Sequence, residues 1–384
     1  MSTGSQPDRS KKGLSQSEAF ARIRLLRSPN IGPVSYRQLL ARFGSAEAAI
    51  ESLPELGSRG KTPYRPAPVE KIEREITALR NAGASYLFHD QPDYPAMLGE
   101  IESAPPILTC RGRLELASHP CVAMVGARNA SAAATKLARD FASALAEAGL
   151  IVVSGLARGI DGGAHEGAFP NTIGVIASGI DIAYPPQHAD LQDRIAKEAL
   201  LIAEQPPGTE PRGRHFPSRN RIIAGLASGT LVVEAAPRSG SLITARLAGE
   251  AGREVMAIPG SPLDTRSHGC NQLIREGAVL VSSPEDVIEL LETFTGAPRS
   301  TYRVAEDPTT FDYAELSKLE WGEGKVTGDE SEAVRRLLTT APIGVDELIR
   351  QSGASAAAVH MVLLELELGG ELERHEGGLV SLSG

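Results

Sequence analysis

Four short segments combine glycines, hydroxyls and arginines at spacings suited to holding an anion. The first is Met124-Val125-Gly126-Ala127-Arg128-Asn129-Ala130-Ser131. Gly126 lets the backbone approach a phosphate, Arg128 adds a bidentate donor, and Ser131 suits a helix N-cap. The second, Ser154-Gly155-Leu156-Ala157-Arg158-Gly159-Ile160-Asp161, ends in an Asp of N-cap type. The third, Phe216-Pro217-Ser218-Arg219-Asn220-Arg221, lies in the stretch Pro211–Val233, which holds Arg212, Arg214, Arg219 and Arg221 and no acidic residue. The fourth, Ser239-Gly240-Ser241-Leu242-Ile243-Thr244, gathers hydroxyls and N–H groups at a helix start. One glycine loop after a strand is most often a turn. Four on one sheet edge describe a multi-point anion site.

Other chemistries find less support. Ser154, Asp161 and His165 suggest a hydrolase triad, but Asp161 and His165 fall on one short helix and the Ser lacks a G-x-S-x-G elbow. The better reading is a loop Ser, an N-cap Asp and a helix-face His. The eight His show no H-E-x-x-H spacing, and the three Cys form no C-x-x-C pair, so neither metal nor disulfide is expected. Neither G-x-G-x-x-G nor G-x-x-x-x-G-K-[ST] occurs, so no dinucleotide or P-loop cofactor is expected. Glu234 is read as bonding the hydroxyls of the Ser239–Thr244 loop. Phe216 reads equally as a core residue or as a ring on which a base stacks.

These segments need a scaffold that brings strand ends together. Apolar runs at Cys121–Val125, Leu150–Val153, Thr172–Ile176, Leu200–Ala203, Thr230–Val233, Glu254–Ile258 and Val279–Val281 read as buried parallel strands. Between them lie helical patterns at Ala132–Ala148, Gly162–Ala168, His188–Lys197, Asn220–Ala227, Leu242–Ala251 and Cys270–Glu276. The alternation predicts an α/β, Rossmann-like, doubly wound and mostly parallel sheet. Ligands on such sheets bind beyond the carboxyl ends of the strands.

The flanking segments differ. Residues 14–84 read as a small all-α domain with a helix-hairpin-helix outline, its second helix carrying Leu39, Leu40 and Phe43 and stopping at Gly44. Its hairpin is read either as a phosphate contact or as plain helix packing. The core runs over 85–293, followed by a linker at 294–327 with one short helix near Tyr313–Leu319. Residues 328–384 show three helices and a hairpin, the pattern of a winged helix-turn-helix. Residues 1–13 read as a disordered tail without the apolar stretch of a signal peptide. With no apolar run long enough for a bilayer, a cytoplasmic protein is expected.

Charge refines this organisation. The 384 residues carry a net −9 with 4% aromatics, which as a whole-chain figure argues against nucleic acid. Distribution reverses part of that argument: residues 1–119 carry +3, 120–290 carry −3, 291–327 carry −3 and 328–384 carry −6. Screening cuts off exposed charges beyond ~8–10 Å, so a local arginine footprint survives a distant acidic excess. The expected recognition helix of the winged helix begins Ser355-Ala356-Ala357-Ala358-Val359-His360-Met361, and no Lys or Arg occurs from Gln351 to Glu373. Major-groove readers need such donors, so this segment is read as a protein-contact or packing module.

Taken together, the motifs resemble the DNA-processing protein A family (DprA, also called Smf). The resemblance covers Gly126-Ala127-Arg128, Ser154-Gly155 with Ala157 to Asp161, Ala164-His165, Tyr184-Pro185, Phe216-Pro217 and Arg219 to Leu226. It continues through Glu234-Ala235, Ser239 to Ala245, Pro259-Gly260, Ser267 and Gly269. It implies a non-enzymatic binder of single-stranded DNA in natural transformation, which protects the strand, loads RecA and acts as a homodimer. It puts Arg128 at the family's phosphate-contacting arginine and Phe216 where a base stacks. Ala127 departs from the usual Ser. Pro186-Gln187-His188 stands where a basic residue is common, with Arg212 and Arg214 as compensation. The core also resembles phosphoribohydrolases of the LOG-like type, which implies a nucleotide-binding enzyme as the alternative. Their P-G-G-x-G-T-x-x-E signature is missing here.

Overall fold

The computed structural model describes residues 13–57, 64–101, 103–294, 296, 298–302, 328–375 and 378–383. The expected tail up to Lys12, the expected helix at Tyr313–Leu319 and most of the expected linker lie outside them. The chain divides into two compact units, one of residues 73–313 and one built from residues 1–72 and 314–384.

The chain opens with α1 (Gln16–Leu26), capped by the Ser15 hydroxyl, and α2 (Pro33–Phe43), which has Pro at its first position. Gly44 ends α2 at φ 75°, the left-handed stop that glycine tolerates best. Helix α3 (Ala46–Leu56) follows at once, and the Glu18 carboxylate of α1 accepts from the Ala46 N–H at 3.0 Å. Helix α4 (Val69–Asn81) leads into the sheet.

The sheet unit runs β1 (Ser85–Phe88), α5 (Ala96–Gly99), β2 (Ile107–Gly112), β3 (Cys121–Val125), α6 (Ala132–Glu147), β4 (Ile151–Ser154), α7 (Ile160–Ala168) and β5 (Thr172–Gly179). It continues with α8 (Ala189–Glu198), β6 (Leu200–Gln205), α9 (His215–Leu226), β7 (Gly229–Val232), α10 (Gly240–Glu250), β8 (Glu254–Ala257), α11 (His268–Arg275), β9 (Val279–Leu280) and α12 (Pro284–Glu292). Strand order is β1-β2-β6-β5-β4-β3-β7-β8-β9. All pairings from β6 to β9 are parallel, while β1 and β2 add an antiparallel edge absent from the sequence reading.

The sheet is covered on both faces, as continuous apolar strands require. Val122 and Met124 of β3 join Phe141, Ile160, Ala164 and Val287 on one side. Ala123 and Val125 join Ile195, Ile222, Ile223, Ala245 and Leu273 on the other. From β3 the chain winds outward to β4, β5 and β6, then returns to place β7 on the far side of β3. That reversal splays neighbouring loops apart at the carboxyl ends of the strands.

The C-terminal part contains α13 (Gly328–Leu337), β10 (Ile343–Gly344), α14 (Val345–Ser352), α15 (Ala356–Leu368), β11 (Leu372–Arg374) and β12 (Leu379–Leu382). The strands pair in the order β10-β12-β11, giving the winged helix. Every residue of α15 from Ala358 to Leu364 is buried, so it is a core helix rather than a one-faced one. Leu364 and Leu368 share a core with Leu25, Leu39 and Leu53 of the first three helices. Asn30 Nδ2 donates to the Leu368 carbonyl at 3.2 Å, Ser35 Oγ to Glu367 at 2.6 Å, and Gln38 lies 3.3 Å from His360 Nδ1. The hairpin and α2 therefore cover the winged helix's central helix.

Candidate functional site

The loops after β3, β4 and β5 and the first turns of α9 enclose a partly open cavity of about 270 Å³. Arg128, Gly155, Ala157, Arg158, Tyr184, Phe216 and Arg219 line it, with Ile176, Ala177 and Pro185 to Gln187.

Arg219 forms the floor. It is 5% exposed, its Nη1 donates to the Val175 carbonyl at 2.8 Å, and its Nε has no hydrogen-bond partner among the described residues. Its path depends on Gly155, where a Cβ would stand 1.7 Å from Nη1. Burial lowers the Arg219 pKa to about 10, with Asp161 opposing and Arg128 adding to the shift, so the guanidinium stays charged at neutral pH.

The wall is aromatic. Tyr184 is 40% exposed, and its ring centre lies 5.8 Å from that of half-buried Phe216. The Arg128 guanidinium sits 4.9 Å from the centre of the Phe216 ring, a cation–π distance. Phe216 is thus a cavity ring rather than a core residue. Arg128 and Arg158 stand exposed at the rim without a carboxylate partner among the described residues.

The second segment is wired from behind. Asp161 Oδ2 accepts from the N–H groups of Gly155 at 3.2 Å and Ala157 at 3.3 Å. His165 Nε2 accepts from the Leu156 N–H at 3.3 Å. His165 Nδ1 donates to Thr172 Oγ1, whose own hydrogen goes to the Val152 carbonyl. This network assigns a neutral imidazole, and burial holds its pKa down at about 3. His188 Nδ1 donates to the Leu156 carbonyl at 2.9 Å. Leu156 is thereby held at φ 57°, a left-handed conformation that costs about 1–2 kcal/mol outside glycine. Gly159, at φ 76°, brings its α-carbon so near β3's loop that a Cβ would be 2.3 Å from the Ala127 carbonyl.

This wiring corrects several expectations. Asp161 does not cap α7, whose N-cap is Gly159, but clamps the loop before it. Burial pushes the Asp161 carboxyl up, opposed first by Arg219. Ser154, expected among the phosphate-binding residues, is fully buried and donates to the Met124 carbonyl at 2.6 Å, which agrees with the reading against a hydrolase triad. The N–H groups of Gly155, Leu156 and Ala157 are committed internally, and that of Ala127 goes to the Glu234 carbonyl. These amides are therefore not free to hold an anion, and the charged donors left facing the cavity are arginine side chains. Glu234 bonds the N–H and hydroxyl of Ser131, not the Ser239 loop, because β7 lies beside β3.

The remaining candidates stand apart from the cavity. Gly126 packs under Ile160, and Arg221 pairs with Glu204. Asn220 Nδ2 reaches the Gly240 carbonyl at 3.4 Å. Ser239 caps α10 through the Ser241 N–H and shares a hydrogen bond with the Ser241 hydroxyl. Arg212 and Arg214 are exposed just before α9. The residues missed as site members are Tyr184, Gln187 and the positioning His188. Their visible signal was the resemblance itself, which covers Tyr184-Pro185 and departs at Pro186-Gln187-His188. Among the described residues no His, Cys, Asp or Glu cluster could hold a metal, and no helix is long and apolar enough to cross a membrane.

Comparison with known proteins accounts for all three parts of the chain. The family model "DNA recombination-mediator protein A" matches residues 85–292, a DprA-like N-terminal HHH domain matches 16–78, and a DprA winged helix domain matches 325–378. The chain is 49% identical over 202 residues to the DNA processing protein DprA of Streptococcus pneumoniae, covering 52% of this chain and 71% of that one. It is 35% identical over 352 residues to the protein Smf of Escherichia coli, covering 89% of each. The solved structure of the Streptococcus pneumoniae protein covers 72% of this chain and 98% of its own, at TM-score 0.61 and 36% identity. The DNA processing protein A of Helicobacter pylori, solved for its single-stranded DNA binding mode, covers 55% and 97%, at TM-score 0.51 and 29% identity.

Proposed function

The chain belongs to the DNA recombination-mediator protein A family, and on that premise we propose that it binds single-stranded DNA without sequence preference at the cavity over its sheet. The observation that carries this reading is the set of Arg128, Arg158 and Arg219 around the Tyr184–Phe216 rings. Arginines take the phosphates and the rings take a base, whose stacking is worth ~1–3 kcal/mol whatever its identity. Arg212 and Arg214 extend the positive track beside α9. The protein acts in the cytoplasm, on DNA taken up in natural transformation, as a homodimer that passes its strand to RecA. The winged helix serves packing or protein contact.

The cavity favours binding over catalysis. Asp161 is occupied by two backbone N–H groups and Glu234 by Ser131, so neither carboxylate is placed for acid–base work. A salt-titrated comparison of oligo-dT and duplex binding tests the proposal. Oligo-dT should bind more tightly, with log affinity falling by ~0.7 per neutralised phosphate per decade of salt. Arg128→Ala should weaken binding about 5-fold for every sequence and make that slope shallower by ~0.7. Release of free base from nucleoside monophosphates, followed by chromatography, would instead establish the enzyme of the LOG-like type.

A further inference from the structure

Phe216 is the ring best placed for a base, yet in the free protein it already carries a guanidinium. The Arg128 carbon Cζ lies 4.9 Å from the ring centre, while Tyr184 leans on the same ring at 5.8 Å and 57°. Arg128 is exposed, and among the described residues it has no hydrogen bond or ion pair to hold it elsewhere. Its charge also disfavours that of Arg219 on the cavity floor. The ring interaction holds Arg128 on Phe216, with a charge attraction from buried Asp161 behind it.

We propose that Arg128 is a placeholder: strand binding exchanges its guanidinium for a base on Phe216 and moves the freed cation onto a phosphate. This rests on the reading of the cavity as a single-strand site and adds how that site is kept before the strand arrives. A planar cation suits the role, because guanidinium stacks on aromatic faces whereas an ammonium prefers its water. The exchange is favourable in direction. A base gains more on an aromatic face than an exposed cation gives up, and the cation then finds an anion. The same displacement hinders an uncharged aromatic ligand, which offers Arg128 no phosphate in return. The cavity therefore discriminates between a nucleic-acid strand and neutral aromatic compounds.

The exchange predicts effects of opposite sign for one substitution. In the full chain, Arg128→Ala should weaken oligo-dT binding and strengthen binding of the uncharged nucleoside deoxyadenosine by about 3-fold, the scale of one exposed cation–π contact. Arg128→Lys should keep the salt slope of oligo-dT binding while also gaining deoxyadenosine affinity. Titration by ligand-observed NMR reads the nucleoside and fluorescence anisotropy reads the oligonucleotide. If Arg128→Ala binds deoxyadenosine more weakly than the wild type, equally, or undetectably, the placeholder role is overturned. Phe216→Leu separates the two levels of the argument. If it leaves oligo-dT affinity unchanged, the strand-site reading itself fails. If it weakens oligo-dT while Arg128→Ala fails to help the nucleoside, the site stands and the exchange falls.

Discussion

The arginines at and beside the cavity over the sheet and three arginines of the unit built from both chain ends meet opposite circumstances. In the latter, Arg22 bonds Glu18, Arg374 bonds Glu367, and Arg335 lies 3.9 Å from Glu365. Over the sheet, Arg128, Arg158, Arg212 and Arg214 have no carboxylate partner among the described residues, and Arg219 bonds a backbone carbonyl. A cation already paired within its own chain adds little field for a phosphate, whereas an unpaired one at a concave site adds much. The architectural class points the other way, since a winged helix and a helical hairpin are both shapes that meet DNA elsewhere. Here each covers the other: α15 lies under α2, and Asn30 of the hairpin bonds the end of α15. Charge pairing, more than module shape, separates the cavity from that unit, and Arg221, just outside the cavity, is itself paired with Glu204.

Five substitutions and a change of pH can break or sharpen that contrast. The largest effect is expected for Leu364→Ala, which opens a cavity in the shared core at a cost of about 2–5 kcal/mol. Denaturant unfolding should register this loss while oligo-dT affinity stays at the wild-type value; a parallel loss of binding would mean the two regions are not separate. Next is Arg219→Leu, which removes the floor cation and leaves Asp161 buried without it. Oligo-dT affinity should fall about 10- to 100-fold, as for loss of a charged hydrogen bond of ~1.5–3 kcal/mol. Undiminished anisotropy would remove Arg219 from the site.

Acid should act on both regions by the same route. Burial lowers His165 to about 3 and His360 to about 4, each below the 6.5 of a free imidazole. The unfolded chain then binds protons that the folded rings refuse. Their stabilising contribution is complete above about pH 6.5 and is lost as pH falls toward 4 and then 3. His165→Gln should flatten the acid limb reported by a sheet-unit probe, and His360→Gln the limb reported from α15. A wild type equally stable at pH 6.5 and 4.5 would contradict both. The smallest binding effect is expected from Ser239→Ala, which loses an N-cap worth about 1 kcal/mol but lies outside the cavity. Its oligo-dT affinity should stay within about 2-fold of wild type, and a larger drop would extend the site to α10.

The parallel strands were legible because burial on both faces forces continuous apolar runs, to within about a residue except that β5 runs on to Gly179 and β6 to Gln205. The antiparallel edge was not, since a proline-rich Gln91–Pro106 stretch carrying the short α5 stands between β1 and β2 in place of a hairpin turn. Helix α9 starts at His215 rather than Asn220, because Pro217 in a first turn has no intrahelical donor to lose. That shift places Phe216 and Arg219 on helical turns over the cavity. Arg128, Arg158, Arg219 and Phe216 were legible as candidates, and the fold brings all four to one cavity. The commitments of Asp161, His165 and Glu234 were not, because spacing along a chain does not say which loop faces which across a sheet.

The core shared by Leu39 and Leu364 also has a meaning in time. Helices α1 to α3 are made long before α15, the helix that completes their core. About 300 residues intervene, and at ~5–20 residues per second that interval is ~15–60 s of synthesis. Through it the apolar side of α2 waits without its final partner, while the sheet unit has time to form. The first helices of this chain are thus among the last to finish folding, and a nascent chain stalled within the sheet would hold them uncovered.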